Sequence, residues 1–286
     1  MKSFRSVSSA LIAIAALSIC SASFAGPIPL IHAHAHNDYE HRRPLFDALD
    51  HGFCSVEADI HLVDGQLLVA HNRSAVKKER TLQTLYLEPL RKLAREHHGK
   101  IYGNEPRFFL LVDIKSDFRQ LYPVLRKVLE DYSDILTRFE NGNVHTNTVT
   151  VVLTGNYSLP ILAAETNRLA GVDGRLKDLS AIRNGDAIVW ISDSWKPTFK
   201  WNGKGNMPEK ERALLQSVAE RAHAKGKLVR FWAAPQTTEM WTEQAANGVD
   251  LLNADDLAAL EKFLVTHPYP GTLLDDPALQ PAQRSR

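Results

Sequence analysis

The chain has 286 residues, and its 34 Lys and Arg nearly balance its 33 Asp and Glu, for a formal charge of +1. This length is sufficient for a single large core, since α/β barrels of about 250 residues are common. The near-neutral charge gives no reason to expect nucleic acid or a strongly anionic surface as a partner.

An export signal is predicted at the amino terminus. It begins with two basic residues, Lys2 and Arg5, and continues with an apolar segment, 11–19, that is too short to span a bilayer. A small-x-small cleavage motif ends at Ala25. We therefore expect residues 1–25 to be removed and the mature protein to be periplasmic or secreted. No later stretch is apolar enough to cross a membrane.

Strand and helix patterns alternate through the rest of the chain, residues 26–286. The strand candidates are 29–35, 54–60, 108–115, 148–155, 169–176, 187–192, 227–233 and 248–254. One helix is predicted to begin after the N-cap Asp117, and another to begin at Pro208 and end at Gly226. The apolar face of the second helix is predicted on Leu214, Leu215, Val218 and Ala222. Eight strands, each followed by a helix or a long turn, predict a single α/β domain, a (β/α)8 TIM barrel, with an open doubly wound sheet as the alternative.

The second strand carries two acids, Glu57 and Asp59, on one face, because side chains alternate along a strand. Its other face is wholly apolar and consists of Cys54, Val56, Ala58 and Ile60. Two neighbouring carboxylates in a buried strand repel each other and are costly to desolvate. A bound cation removes both costs, so the pattern favours a metal site over the alternative, an exposed acidic strand edge.

Other polar residues also lie late in their strands. They are His36 and Asn37 after strand 1, His71 after a hairpin that turns at Asp64 and Gly65, Asp113 and Lys115 in strand 3, and Arg230 and Trp232 in strand 7. The loops at the carboxyl ends of barrel strands build the active site. We therefore expect these side chains to meet at one mouth of the barrel, with the oxygens of Glu57, Asp59 and Asp113 converging on one point.

The order His-Asn, Glu-x-Asp, His and acid-x-Lys resembles the superfamily of phosphatidylinositol-specific phospholipases C and glycerophosphodiester phosphodiesterases. Its members are TIM barrels that cleave phosphodiesters with a metal or, in some bacterial branches, without one. The Asp38-Tyr39 step and the segments 43–45 and 230–232 resemble more closely the branch named for yeast altered inheritance of mitochondria protein 6. The resemblance extends over residues 31–257.

The resemblance implies a role for each of these residues. His36 and His71 match the two catalytic histidines, and Lys115 matches a basic residue that contacts the phosphate. The implied metal ligands are Asn37, Glu57, Asp59 and Asp113. Asp113 stands where the family usually has Glu, which shortens that ligand by one methylene. The His-Arg-Gly signature of glycerophosphodiesterases is absent.

These residue types also suit phosphodiester hydrolysis on chemical grounds. Oxygen-only ligands favour one Ca2+ or Mg2+ ion, which neutralises charge on the non-bridging oxygens. His36 and His71 titrate in the range needed for acid and base catalysis. Lys115 and Arg230 suit a phosphate, Arg230 through its bidentate fork. The expected substrate is a small-molecule or lipid phosphodiester, cleaved either through a cyclic phosphate or by direct attack of water.

Two other functions are compatible with parts of the pattern. The His-x-His motif at His32 and His34 is also typical of amidohydrolase metal sites, but strands 169–176 and 187–192 lack the further histidines that such sites need. A non-catalytic binding barrel would have lost a histidine or the carboxylates, whereas all are present here.

Several residues have a structural alternative. His32 and His34 are predicted in the core or in support of the site, Asp38 in a turn or cap, and Arg230 as either a phosphate contact or an ion-pair partner. Trp232 is either barrel filling or a wall of the substrate site. The aromatic loop 192–207 is either a lid, with possible transient contact to a lipid surface, or an ordinary packed loop. The histidines predicted at the surface are His41, His51, His61, His97, His98, His145, His223 and His267.

Overall fold

The structure is a computed structural model that describes residues 26–102, 107–182, 187–267 and 269. The predicted export signal lies outside these residues. Within them, eight parallel strands form a nearly closed barrel with helices around it. The predicted α/β barrel is therefore confirmed, and the open doubly wound sheet is not what the chain forms.

The barrel strands follow the chain in order from β1 to β7, and β8 pairs with β1. Their bounds are β1 Leu30–Ala35, β2 Phe53–Val63, β3 Phe108–Ile114, β4 Val149–Gly155, β5 Ala170–Gly174, β6 Ile188–Ser194, β7 Leu228–Trp232 and β8 Leu252–Ala254. The β7–β8 seam is short, because it consists of one parallel bridge between Arg230 and Leu251 and of two amides that donate to the carbonyl of Val229. β8 begins later than predicted. At Asp250 it is the side chain, and not a backbone carbonyl, that accepts the amide of Val229, at 2.7 Å.

A hairpin extends β2 beyond its predicted end. Strand Gln66–Val69 pairs antiparallel with β2, and Asp64 and Gly65 both have positive φ, at 49° and 76°, which matches the twist of a two-residue hairpin. The return strand brings the chain back beside Asp59, whose carbonyl accepts the amide of Ala70 at 3.1 Å. His71 is thereby delivered to the mouth of the barrel.

The described helices lie outside the strands. Their bounds are α1 Phe46–Asp50, α2 Glu88–Glu96 after a π-helical turn at Gln83–Leu87, α3 Phe118–Glu130, α4 Leu159–Ala163, α5 Trp195–Thr198, α6 Glu209–His223, α7 Thr238–Ala246 and α8 Leu257–Thr266. The predicted N-cap of α3 is confirmed, since Asp117 accepts the amide of Gln120 at 3.1 Å. The prediction that Leu214 of α6 lies in the core was wrong. The residue is 43% exposed, because it lies about 100° around the helix from Leu215. In the part of the chain that the structure describes, no helix combines the length and apolarity needed to cross a membrane.

Smaller elements complete the described chain. Three 3-10 turns occur at Asp38–Glu40, Arg73–Ala75 and Leu176–Ser180, and a small antiparallel sheet consists of Arg138–Glu140, Asn143–His145 and Asn167–Arg168. His61 is buried at 5% exposure because β2 continues past it, so the prediction of a surface position was wrong there. The other seven histidines predicted at the surface are partly or fully exposed.

Apolar side chains fill two spaces on either side of the strands. The larger core lies between the strands and the helices and contains Val56, Ala58 and Ile60, the predicted apolar face of β2. The smaller cluster, which we call the inner apolar layer, consists of Phe109, Leu111, Val152, Trp190, Leu228 and Leu251. Polar side chains lie between this layer and the carboxyl ends of the strands.

The aromatic loop 192–207 is packed against the barrel. Trp195, Phe199 and Trp201 are 1%, 2% and 7% exposed, and the rings of Trp195 and Phe199 lie 4.2 Å apart against Phe231. Of the alternatives, the packed loop is therefore what the chain forms. These three rings offer no surface for contact with a lipid.

Candidate active site

Three carboxylates meet at the carboxyl ends of β2 and β3. Asp59 and Asp113 are directly paired positions of the two parallel strands, so their side chains leave the sheet side by side. Glu57 lies two residues before Asp59 and therefore on the same face. Oxygens of the three groups all lie within 4.8 Å of one another. The expected convergence is present, and the cluster can hold a metal ion.

Two oxygens of this cluster point to a missing positive partner. Asp59 Oδ1 and Asp113 Oδ1 are buried and have no hydrogen-bond partner among the described residues, although buried polar atoms are normally satisfied. Gly155 of β4 leaves the space that Asp113 needs, since a Cβ there would lie 2.0 Å from Asp113 Oδ1. Carboxylate oxygens of this kind fit a hard divalent cation such as Ca2+ or Mg2+.

The electrostatics of the cluster also favour a cation. Burial and the adjacent Asp113 carboxylate raise the pKa of Asp59 to about 6. Burial raises the pKa of Glu57 as well, but the nearby His34 ring and the Arg230 guanidinium outweigh that effect and bring this pKa to about 2. Glu57 is therefore charged at neutral pH, and a cation beside Asp59 would stabilise its charged form too.

Lys115 lies on this cluster. Its Nζ donates to Asp113 Oδ2 at 2.6 Å and is 3.1 Å from Asp59 Oδ2. The side chain is 27% exposed, so it reaches both the carboxylates and the open cleft. On both carboxylates the ammonium contacts Oδ2, whereas Oδ1 is the oxygen that lacks a partner among the described residues.

His36 has a carboxylate partner that the sequence analysis did not identify. Its Nδ1 lies 2.8 Å from Oδ1 of Asp255, the residue that follows β8. Gln236 holds Asp255 on two sides, donating to Asp255 Oδ2 and accepting the Asp255 amide, both at 2.6 Å. Burial lowers the pKa of His36, but the hydrogen bond to Asp255 and the charge of Glu57 outweigh it and raise this pKa above its ordinary value.

His71 has a comparable partner in Asp59. Its Nδ1 lies 3.1 Å from Asp59 Oδ2 and 3.1 Å from the hydroxyl of Tyr39. The buried Tyr39 hydroxyl in turn lies 2.7 Å from Asp59 Oδ2 and 2.8 Å from the side-chain oxygen of Asn37. Tyr39 therefore links the second histidine, a carboxylate of the cluster and Asn37.

The loop after β1 presents His36 and Asn37. Asn37 has φ of 52°, a left-handed conformation that Asn tolerates better than most residues. Asp38 is fully buried and accepts the amide of Leu45 at 2.6 Å and the hydroxyl of Tyr86 at 2.8 Å. It therefore holds the loop in place, as the turn interpretation predicts, and it is not one of the three clustered carboxylates.

Arg230 lies inside the barrel, as strand alternation predicts. Only 3% of it is exposed. Its Nε donates to Asn253 at 2.9 Å, and its terminal nitrogens lie 3.5 Å from Glu57 and 3.9 Å from Asp173. Arg230 thus has the carboxylate partners that a structural ion-pair role requires, and it also lines the cleft. Trp232 is 38% exposed at the mouth, so it is a wall of the cleft and not barrel filling.

A cleft of about 440 Å3 contains the predicted site residues together with others that were not predicted. The additional polar residues come from β4 and β5 or the loops that follow them, and include Thr154, Asn156, Asp173 and Arg175. Arg175 donates to the buried Asp173 at 2.8 Å and to Thr154 at 3.1 Å. The Asp173-x-Arg175 pattern repeats the acid-x-base spacing of Asp113 and Lys115, which is the signal in the sequence that could have identified it.

The first two histidines of β1 are not members of the carboxylate cluster, although His34 Nε2 lies 3.5 Å from Glu57 Oε2. His32 Nδ1 bonds to the carbonyl of Asp250 at 2.9 Å, and its ring stacks on Tyr269 at 3.7 Å. His34 is fully buried, with Nδ1 2.7 Å from the hydroxyl of Ser55. The His-x-His pair therefore supports the structure, and the geometry of an amidohydrolase metal site is absent from the described residues.

Comparisons with known proteins agree with this arrangement. A family model described as an AIM6-like phosphodiesterase domain matches residues 22–173. Altered inheritance of mitochondria protein 6 homolog from Arthroderma benhamiae is 30% identical over 271 residues, covering 83% of this chain and 84% of the relative. Altered inheritance of mitochondria protein 6 from Eremothecium gossypii is 32% identical over 271 residues, covering 82% and 69%.

A solved structure shares the fold. The calcium-dependent phosphoinositol-specific phospholipase C from a Gram-negative bacterium, Pseudomonas sp., superimposes with a TM-score of 0.53 at 10% identity, covering 82% of this chain and 93% of that one. At this identity the likeness supports the barrel architecture alone. The family resemblance predicted from the residue order is confirmed by the family model and the two fungal relatives.

Proposed function

The chain belongs to the AIM6-like phosphodiesterase family, and on that premise we propose that it is a metal-dependent phosphoric diester hydrolase. The observation that carries this proposal is the arrangement in one cleft of two histidines, each with a carboxylate at Nδ1, around a cluster of three carboxylates. The substrate class is a small-molecule or lipid-derived phosphodiester. The solved relative described as calcium-dependent and the unpartnered carboxylate oxygens support one Ca2+ or Mg2+ ion as the cofactor.

The proposed ligands of that cation are Asn37, Glu57, Asp59 and Asp113. When bound, the cation neutralises the charge that accumulates on the non-bridging phosphate oxygens in the transition state. Asn37 supplies a neutral oxygen next to the carboxylates, to which its side chain is already connected through the Tyr39 hydroxyl. Three carboxylates and one amide oxygen form a hard-oxygen donor set, which favours Ca2+ or Mg2+ over Zn2+.

The two histidines divide the proton transfers. A carboxylate at Nδ1 orients each ring and leaves Nε2 as the atom that exchanges a proton with the substrate. One ring removes the proton of the attacking hydroxyl, and the other gives a proton to the oxygen of the departing alcohol. The pair Asp255 and Gln236 orients His36, and the pair Asp59 and Tyr39 orients His71.

Basic residues stabilise the phosphate in this proposal. Lys115 reaches the cleft from the end of β3. Arg230 provides positive charge from within the barrel and holds Glu57 in place. Arg175 adds a third cation to the lining of the cleft. A ring of donors suits an anionic diester better than a neutral amide.

We also propose that the protein is exported, with cleavage after Ala25. The basic start, the short apolar segment and the small-x-small motif support this proposal. The enzyme would then hydrolyse phosphodiesters outside the cytoplasm.

The decisive experiment is a screen of phosphodiesters with the purified protein in EDTA, Ca2+ and Mg2+. The panel contains an aryl phosphodiester, phosphatidylinositol and a glycerophosphodiester, with a phosphomonoester as the control. We expect hydrolysis of at least one diester that requires Ca2+ or Mg2+ and stops in EDTA. Hydrolysis of the monoester alone, or activity that is unchanged in EDTA, would contradict the proposal.

A further inference from the structure

Lys115 and the candidate metal compete for the same two carboxylates. The ammonium lies 2.6 Å from Asp113 Oδ2 and 3.1 Å from Asp59 Oδ2. It thus already occupies the position of a bridging cation between two side chains that are directly paired across β2 and β3. Without such a positive group, two adjacent buried carboxylates would repel each other.

The remaining oxygens show that the lysine alone does not complete this site. Asp59 Oδ1 and Asp113 Oδ1 are buried and have no partner among the described residues. Both belong to the carboxylates that Lys115 bridges through Oδ2, and the absence of a Cβ at Gly155 lets Asp113 Oδ1 lie where it does. The cluster, which lines the cleft, therefore has ligand atoms for a second positive group next to the ammonium.

A divalent cation and an ammonium at these adjacent positions repel each other, because the site is largely shielded from water. The lysine is the group able to move. Its backbone is fixed, since its amide donates to the carbonyl of Ile60 at 3.0 Å, but its side chain is partly exposed and lines the same cleft as His36 and His71. Rotation about its four-carbon stem takes the ammonium from the carboxylates into the cleft.

We propose that Lys115 is a built-in counter-cation that exchanges with the metal. It neutralises Asp59 and Asp113 in the metal-free protein, and binding of a divalent cation releases its ammonium toward the substrate phosphate. Metal binding thus completes the phosphate contact as well as the cation site. The exchange rests on the proposed function only for the identity of the anion that receives the released ammonium.

The first test measures binding of Ca2+ and Mg2+ by titration calorimetry, without substrate. Lys115→Met keeps the length of the side chain and removes its charge, while Lys92→Met removes an equivalent charge from a lysine that is 76% exposed on α2. We expect Lys115→Met to bind the metal about tenfold more tightly than the wild type, and Lys92→Met to be unchanged. Binding by Lys115→Met alone would overturn the exchange, because the wild type must also bind the metal for its ammonium to be released. Equal or weaker binding by Lys115→Met, or binding by neither protein, overturns it.

The second test uses the wild-type protein and does not depend on the folding of a variant. Acylation of lysines by an N-hydroxysuccinimide ester is quantified by peptide mass spectrometry in EDTA and in the metal that binds, with Lys92 as the internal reference. We expect Lys115 to react slowly in EDTA and several-fold faster with the metal. Unchanged or slower labelling with the metal overturns the exchange. Both readouts are independent of turnover. A wild type that binds metal but cleaves no phosphodiester would refute the proposed function, and the binding and labelling results would still decide whether the exchange occurs.

Discussion

The Nδ1 atom of His36 lies 2.8 Å from Oδ1 of Asp255, across the junction of the first and last strands of the barrel. The carboxylate stabilises the protonated imidazole, and the pKa of His36 is raised above its ordinary value. For a base, kcat/KM rises with pH as the ring loses its proton. Asp255→Asn removes the stabilising charge, so we expect this limb to move to lower pH and the maximal rate to fall roughly tenfold or more. A pH–rate profile measures both effects.

Gln236 provides a second test of the same pair. It holds Asp255 through two hydrogen bonds of 2.6 Å, so Gln236→Ala should loosen the carboxylate without removing its charge. We expect a smaller shift of the limb in the same direction, and no shift for Gln216→Ala, an exposed glutamine of α6. A limb shifted by Gln236→Ala to higher pH would contradict this positioning role.

Removal of either of the two proposed catalytic histidines should abolish most turnover and leave the fold intact. The side chains of His36 and His71 are 28% and 58% exposed, so neither fills the core. We expect His36→Ala and His71→Ala each to lower kcat by roughly 10²–10⁴-fold. His145→Ala, at a histidine that is 61% exposed in the small antiparallel sheet, is the control. Near-normal kcat in a histidine variant with unchanged circular dichroism would remove that residue from the mechanism.

Gly155 offers a test of the metal site that substitutes none of the proposed ligand residues. A Cβ at this position would lie 2.0 Å from Asp113 Oδ1, so Gly155→Ala must displace the carboxylate. Gly65→Ala is the matched control, since Gly65 has φ of 76° against 73° for Gly155 but no atom within 4 Å of the added Cβ. Both variants should lose about 1–2 kcal/mol of stability from the left-handed backbone, and Gly155→Ala should lose more because its Cβ would also lie 2.8 Å from the carbonyl oxygen of Ile114. Only Gly155→Ala should lose affinity for Ca2+ or Mg2+ in calorimetry, and equal affinities would contradict the proposed role of Asp113.

Arg230→Ala should reduce both stability and turnover. Because the residue is buried beside Glu57 and Asp173, its loss leaves charge uncompensated, which typically costs about 3–5 kcal/mol of folding free energy. Loss of a charge-stabilising donor should cost roughly 2–4 kcal/mol in kcat/KM, and Arg230→Lys should restore only part. Chemical denaturation and rates per folded molecule separate the two effects. Normal rates per folded molecule would show that Arg230 is structural and that the phosphate is held elsewhere.

The predicted export signal has a direct readout. Expression of the full chain in a Gram-negative host should give a mature protein that begins at Gly26 and is recovered from the periplasm or the medium. Intact-mass spectrometry identifies the terminus, and substitution of Ala25 by a bulky residue should block cleavage. A soluble cytoplasmic pool that retains Met1 would contradict export.

Strand alternation was sufficient to predict which polar residues share the barrel interior. Glu57, Asp59 and Asp113 were placed correctly because the apolar residues between them require the opposite face. Arg230 followed from the same rule. The positions of Asp255 and Tyr39 could not be predicted in this way, since both lie in loops or turns and their distances to His36 and His71 depend on how β1, β2 and β8 pair.

Burial was harder to predict than orientation. The aromatic loop 192–207 has the composition of a surface lid, yet its rings pack on Phe231 because the barrel leaves an apolar surface there. His61 was assigned to the surface because the hairpin that lengthens β2 depends on pairing with residues that follow it. For the aromatic loop a contact distant in sequence decided the result, whereas for His61 it was pairing with Leu68 across the hairpin.

The inner apolar layer closes the barrel interior beneath the carboxylates. Phe109, Leu111 and Trp190 lie beneath the carboxylates and are at most 2% exposed, so neither solvent nor ions can approach the described site from below. In the proposed reaction, substrate, cation and water would then enter from the open end of the cleft, where Trp232 is 38% exposed. We expect an alcohol group of the substrate bound there to hinder the approach of water to the phosphorus until it departs. A substrate that carries its own nucleophilic hydroxyl should then react ahead of water, and its cyclic ester is the first product to look for by phosphorus NMR.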